Sequence, residues 1–322
     1  MASNGRHVAA MVRSHATGDD TNFYSVALQV AAREAKAGHH MLASDIKKAV
    51  DASRKREPAG KVTTIAQPRG ELADLVTASY PDVRLRELVA PAELISQIEQ
   101  VIAEQRQRKI LLDHGFAPAH RLLLEGPPGT GKTMTAAVLA TELAIPMFAV
   151  RLDALVSKFM GETAAKLRLV FDSVAQRRAL YLFDEFDALG AERSGNDVGE
   201  ARRILNSFLV FLEEASSESL VLAATNHRSI LDNALFRRFD AVLTYKLPDT
   251  RQATTVMRAR LGTLARGVSM AKLGDYTLGL SHAELVKAAE TAGKTALMRG
   301  EKKILRDDLL TALASRRKAS FG

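Results

Sequence analysis

The stretch GPPGTGKT, Gly126 to Thr133, decides how the rest of the chain is read. It meets the pattern G-x-x-x-x-G-K-[ST] at every fixed position. Its flanks fit as well: the apolar run RLLLE precedes it, and a helical run starts near Lys132. Glycines in such a loop let backbone N–H groups turn inward around phosphate oxygens, and the following helix N-terminus adds partial positive charge. Lys132 is expected to reach the β and γ phosphates of a nucleotide, and Thr133 to offer its hydroxyl to magnesium. The expected nucleotide contacts of the loop are Pro128, Gly129, Thr130, Gly131, Lys132, Thr133 and Met134.

Three further stretches follow in order. LYLFDE, Leu180 to Glu185, reads as a buried strand ending in two carboxylates. Ligands of open parallel sheets bind at that end of the strands. Asp184 is expected to hold magnesium through its water shell, and Glu185 to polarise an attacking water. Such a pair can also cap the next helix, but a phosphate loop upstream favours the catalytic reading. LVLAATN ends in Asn226, whose amide would reach the same sheet edge and orient water or sense the γ-phosphate. The bland alternative is a turn residue. ALFRRFD, Ala234 to Asp240, places two arginines before a short apolar run. A planar, permanently charged fork suits transition-state phosphate. A helix-end charge answering the macrodipole is the alternative, and Arg237 and Arg238 stay balanced between the two.

Strand-like runs (RLLLE, MFAVRL, ALYLFDE, LVLAATN, AVLTYKL) alternate with helical ones from about Glu71 to Pro248. That alternation predicts an α/β fold: a parallel sheet with crossover helices on its faces. Residues 249–322 read as purely helical, a small C-terminal domain. Residues 1–56 read as three short helices, about His7 to His15, Phe23 to Gly38, and a third with Leu42, Ile46 and Val50 on one face. His39 and His40 fit a helix surface better than a metal site. Residues 57–70, rich in Pro and Gly, read as a linker, so the large α/β domain is expected over 71–248.

With 47% hydrophobic residues and 25% charged, the chain can bury a sizeable core. Having no cysteine, it excludes disulfides, thiolate zinc sites and cysteine nucleophiles. No apolar run approaches the roughly 20 residues of a membrane span, and no signal pattern opens the chain, so a soluble cytoplasmic protein without membrane partners is expected. The net charge of +8 gathers in RKR, RQRK and SRRK clusters. Without interleaved aromatics these read as solvated faces, leaving nucleic acid as the lesser partner.

Taken in order, GPPGTGKT, LFDEFDALG, ATN and LFRRFD closely resemble an AAA+ ATPase of the AAA subgroup, over about Arg84 to Ala314. The resemblance implies a P-loop AAA+ α/β domain with a helical lid, and ATP and Mg2+ as ligands. It casts Gly129, Gly131, Lys132 and Thr133 as Walker A, and Asp184 and Glu185 as Walker B. Asn226 falls at sensor 1, and Arg237 with Arg238 at the arginine fingers, though the usual spacer between the arginines is missing. In LGLSHAELVKAAETA the lid motif carries His282 where glycine is usual, and Ala283 where other branches carry a sensor 2 arginine. RELVAP resembles the adenine-side segment, which makes Val89 a candidate there.

The family further implies a homo-oligomeric ring, usually a hexamer, with ATP between subunits and assembly dependent on nucleotide. KFMGE, with Lys158, Phe159, Met160 and Gly161, matches its pore loop, where an aromatic grips extended polypeptide and glycine lets the loop move. A second, polar loop, Gly190 to Ala201, would line the pore lower down. The expected activity is that of an ATP-driven protein remodeller. It would deliver a protein substrate to, or regulate, a separately encoded partner such as a protease, since neither H-E-x-x-H nor G-x-S-x-G occurs here. A nucleic-acid-stimulated motor, loader or switch is the alternative.

Overall fold

The computed structural model describes residues 26–27, 30–31, 35, 38–56, 68, 70–155, 161–189, 198–227, 236–270 and 273–321. The chain divides into two compact units, Met1–Thr63 and Thr64–Gly322. The first proposed helix, His7 to His15, lies outside the described residues. In the first unit Val26, Ala27 and Ala31 are helical and buried, and helix α1 spans His40–Arg56. Val50 is buried in it, but Leu42 is half exposed, so the expected three-residue apolar face is not formed in full. Leu42 sits in the first turn, where nothing described covers it. His39 and His40 are both exposed.

The second unit is built on a six-stranded sheet in the order β1-β3-β4-β5-β2-β6. Its strands are β1 Val76–Ser79, β2 Arg121–Glu125, β3 Met147–Val150, β4 Leu180–Phe183, β5 Leu220–Thr225 and β6 Ala241–Thr244. Every pairing is parallel except one. β1, which the sequence reading did not foresee, runs antiparallel to β3 at the sheet edge, with Val76 opposite Val150. A four-residue edge strand with only Val76 buried carries too short an apolar pattern to stand out.

Side chains alternate between the sheet's two faces, as strand geometry requires. Leu123, Val221, Ala223 and Phe183 enter one core, with α7 (Glu162–Gln176) and α8 (Val198–Glu213) packed on it. Leu122, Leu124, Leu222 and Leu182 enter the other, covered by α3 (Ala92–Arg106) and α5 (Lys132–Glu142). Past Pro248 every described element is helical, including α9 (Thr250–Leu261), α11 (His282–Met298) and α12 (Arg306–Phe321). These helices share an apolar core of their own around Met257, Leu285 and Leu309. The short helices α2 (Glu71–Leu75), α4 (Arg108–Asp113), α6 (Leu152–Leu155) and α10 (Gly274–Thr277) complete the set.

Candidate active site

β2 brings the phosphate loop to the carboxyl end of the sheet. Its three leucines, Leu122 to Leu124, are wholly buried, so the strand cannot slide and the loop leaves it at a fixed point. Lys132 opens α5 and is itself buried. Its Nζ donates to the carbonyls of Gly126 at 2.7 Å and Pro127 at 2.9 Å. Burial lowers its pKa, opposed by the nearby carboxylates Asp184 and Asp187. A cation held on neutral carbonyls in a partly dry site is set to prefer an anion. Tyr245, beside β6, donates its hydroxyl to Thr135 Oγ1 at 2.6 Å, which fixes the first turn of α5 against the sheet.

Thr133 Oγ1 donates to Asp184 Oδ2 at 2.6 Å, joining the phosphate loop to the end of β4. The other oxygen of Asp184 accepts from the Glu185 N–H at 3.0 Å. Phe183 and Phe186 bracket this acidic pair. Both are fully buried, and both pack on Phe208 with ring centroids 5.0 and 4.5 Å away. Between these anchors Glu185 takes a φ of 53°, a left-handed conformation that costs a non-glycine residue of order 1 kcal/mol or more. Its side chain is exposed at the sheet edge.

Asp187 ties the last strand end in. Its Oδ1 accepts from Thr225 Oγ1 at 3.0 Å and from the Asn226 N–H at 3.3 Å. Sequence reasoning passed over Asp187, although the second acid of DEFD was the available signal. The helical region closes the cleft from the other side. Ser281 caps α11, accepting from the Glu284 N–H, while Glu284 accepts from the Ser281 N–H at 2.7 Å. Helix N-termini leave several N–H groups without an intrahelical acceptor. One of these, on Ala283, donates to the carbonyl of Gly129 at 3.0 Å. The approach is so close that a Cβ on Gly129 would lie 2.7 Å from Ser281 Oγ and 3.0 Å from Ala283 Cβ, and φ there is +72°. Only glycine fits.

The resulting cavity, about 570 Å³, is lined by Pro128, Gly129, Gly131, Lys132, Thr133 and Met134, by Asp184, Glu185 and Asn226, and by His282 and Ala283. Two expected contacts are elsewhere. Thr130 is buried and donates to the Pro127 carbonyl at 2.8 Å, so it braces the loop from within. Val89 lines a neighbouring cleft with Leu88 and Asp249, and packs on the helical core. Arg237 and Arg238 do not line the cavity. They precede β6, at the opposite end of the sheet from the phosphate loop. Arg238 pairs with Glu213, whereas Arg237 is exposed and makes no ion pair with the described residues. Lys158, Phe159 and Met160 lie outside the described residues, as do residues 190–197. Gly161 is described: it starts α7 with a φ of 87°, a conformation that favours glycine.

Comparison with known proteins agrees with this geometry. The model of the ATPase family associated with various cellular activities (AAA) matches residues 122–247. An AAA family ATPase of Sinorhizobium fredii is 31% identical over 299 residues, covering 92% of this chain and 91% of that protein. The chain belongs to the AAA ATPase family. Two proteins called ATP-dependent zinc metalloprotease FtsH 1 are also similar. That of Symbiobacterium thermophilum is 31% identical over 76% of this chain, and that of a Thermoanaerobacter species 32% identical over 75%. The chain spans only 43% and 41% of those two proteins. As an AAA protein it hydrolyses ATP and belongs to a family of oligomeric assemblies. No described helix is long and apolar enough to cross a membrane.

Proposed function

We propose that this AAA protein is a ring-forming protein remodeller that uses Mg2+ and ATP to draw polypeptide through a central pore. One observation carries the ATPase half of the reading: Lys132, Thr133, Asp184, the strained Glu185 and Asn226 converge on one cavity. Lys132 exchanges its loop carbonyls for the stronger acceptors of β and γ phosphates. The Thr133 hydroxyl and the Asp184 carboxylate, already 2.6 Å apart, are the hard oxygen donors that suit magnesium. When bound, the cation supplies charge neutralisation on the phosphates. Glu185 orients and deprotonates the attacking water, and Asn226 holds its amide beside the γ-phosphate.

Assembly into a ring follows from the arginines. Ala241 of β6 pairs with Leu122 and Thr244 with Glu125, so the strands run side by side and in parallel. The arginines lie before Ala241 and the phosphate loop after Glu125. The paired stretch alone is about 10 Å long at ~3.3 Å per residue. Arg237 therefore serves a neighbouring subunit's nucleotide rather than its own, and with Arg238 engaged by Glu213, Arg237 is the principal finger. A hexamer whose stability rises with nucleotide fits a ligand that also joins subunits.

The pore reading rests on KFMGE standing directly before α7, with Gly161 as its hinge. The FtsH relatives are named metalloproteases, while no group of three or more metal-ligating side chains occurs among the described residues here. The reading assigns any proteolysis to a separate partner, and residues 1–56 would recognise the client or that partner. The deciding experiment is Phe159→Ala. Basal ATP turnover should stay within about twofold, while ATP-dependent unfolding of a tagged protein client is lost. If client unfolding survives, or if DNA rather than unfolded protein stimulates turnover, the remodeller reading fails.

A further inference from the structure

The charge of the chain is unevenly spread. Past Pro248 fourteen lysines and arginines stand against seven acidic residues, so nearly all of the net charge of +8 lies in the helical region. Part of it gathers with exposed apolar residues in LMRGEKKILR, Leu297 to Arg306, which connects α11 to α12. Leu297, Met298 and Leu305 are 58%, 88% and 53% exposed. Lys302, Lys303 and Arg306 are exposed too, and none of the three makes an ion pair with a described residue. The connection is held in shape from below. Arg299 donates to Asp308 at 2.6 and 2.7 Å and to Glu301 at 2.9 Å, which occupies two of the nearby acids and leaves Asp307 exposed. Ile304 is buried, and its N–H donates to the Leu264 carbonyl at 3.1 Å. A Cβ on Gly267 would stand 3.9 Å from Lys303 Nζ, so the turn carrying the exposed Arg266 lies alongside.

Cations and aliphatic side chains on one ordered corner say what would cover it. Nucleic acid would answer the charge but not Leu297, Met298 and Leu305, which offer no aromatic face for a base to stack on. A membrane-surface element lays a long apolar helix face into the lipid boundary, whereas these three residues sit about a single turn. A protein segment answers both features: acidic side chains meet Lys302, Lys303, Arg306 and Arg266, and apolar ones cover Met298, whose unbranched side chain adapts to many shapes. We propose that the corner from Leu297 to Arg306 is a docking surface for an acidic, apolar-studded segment of another protein. It lies at the far end of α11 from Ser281, about 25 Å away for a helix of this length, so such a partner leaves the nucleotide cavity open.

Fluorescence anisotropy on the full chain tests it with four labelled probes. These are a synthetic helix with glutamates on one face and leucines on the other, polyglutamate of the same length, single-stranded DNA, and phosphatidylserine-containing vesicles. The native chain should bind the Glu/Leu helix most tightly, more weakly as salt rises, and polyglutamate at least about 3-fold less well. Lys302→Glu combined with Lys303→Glu should weaken the helix about tenfold or more. Met298→Ser should weaken it about 3- to 10-fold, as loss of a partly buried apolar contact requires, and leave polyglutamate unchanged. All three are exposed positions, where substitutions leave the fold intact, and basal ATP turnover should stay within about twofold of native. No binding to the helix, equal binding of helix and polyglutamate, or full affinity in both variants overturns the proposal. So does tighter binding of DNA or vesicles that the same substitutions abolish. If either variant shrinks the assembly in light scattering, the corner joins copies of this chain and the proposal falls.

Discussion

The two ends of the paired strands β2 and β6 carry opposite kinds of polar machinery. After Glu125, at the carboxyl end, the phosphate loop is complete within one chain. Its lysine is seated on carbonyls, its threonine is bonded to Asp184, and the helical region is docked on Gly129. Before Ala241, at the other end, the arginine segment is half-finished. Arg238 is turned to Glu213, and Arg237 faces solvent. Polar groups that satisfy one another inside a chain describe a site that chain owns. An exposed guanidinium beside an ordered strand describes something offered outward. The contrast teaches that this AAA protein carries one full phosphate site and a contribution to a second.

The largest expected effect tests the complete end. Lys132→Ala removes the only cation seated in the cavity loop, and nucleotide binding and turnover should fall below detection in an isotopic binding assay. Retained turnover would place the site elsewhere. Arg237→Ala tests the offered end. Turnover should drop by about 10³-fold or more, the lower range known for arginine fingers, while ATP binding to the monomer stays near native. Arg238→Ala should cost clearly less. Mixing Arg237→Ala chains with Lys132→Ala chains should restore part of the turnover, because some interfaces then pair an intact loop with an intact arginine. No restoration breaks the contrast, since both defects would then belong to one subunit. Gly129→Ala probes the join to the helical region. The added methyl meets Ser281 and Ala283, so ATP affinity should fall by at least tenfold in an equilibrium binding titration.

These two ends were not equally legible from sequence. The phosphate loop is local: eight consecutive residues dictate the turn, and the strand before it is apolar throughout. Asp184, Glu185 and Asn226 were found because strand ends in a parallel sheet converge wherever the topology puts them. Val89 was assigned to the nucleotide cavity and lies in a neighbouring cleft, because a short segment before α3 has no periodicity to fix which way it faces. β1 escaped notice because only Val76 of its four residues is buried, too short an apolar pattern to mark a strand. Asp187 acts through partners distant in sequence, Thr225 and Asn226. Nor could sequence separate Arg237 from Arg238, as Glu213, the residue that distinguishes them, sits at the end of another helix.

The smallest expected effect concerns what holds the arginine segment in place. Asp240 follows the two arginines and binds back to the start of β2. Its carboxylate accepts from the His120 and Arg121 N–H groups, each at 2.9 Å, and from the Arg121 guanidinium at 2.6 and 3.1 Å. Burial alone would raise its pKa, but these hydrogen bonds from His120 and Arg121 outweigh it and hold the carboxyl well below the usual range. A carboxylate depressed on folding stabilises the fold above its unfolded pKa of about 3.9, and the contribution is lost as pH falls through and below that value. Asp240→Asn should therefore lower stability at pH 7 by about 1–2 kcal/mol, allowing for its partial exposure. The gap between variant and native urea midpoints should close as pH is taken from 5 towards 2. Turnover should fall far less than with Arg237→Ala, because the arginine is still present and only its mooring has loosened. If turnover instead falls as far as it does with Arg237→Ala, the mooring is as decisive as the charge, and the open end of the sheet is more rigid than its exposure suggests.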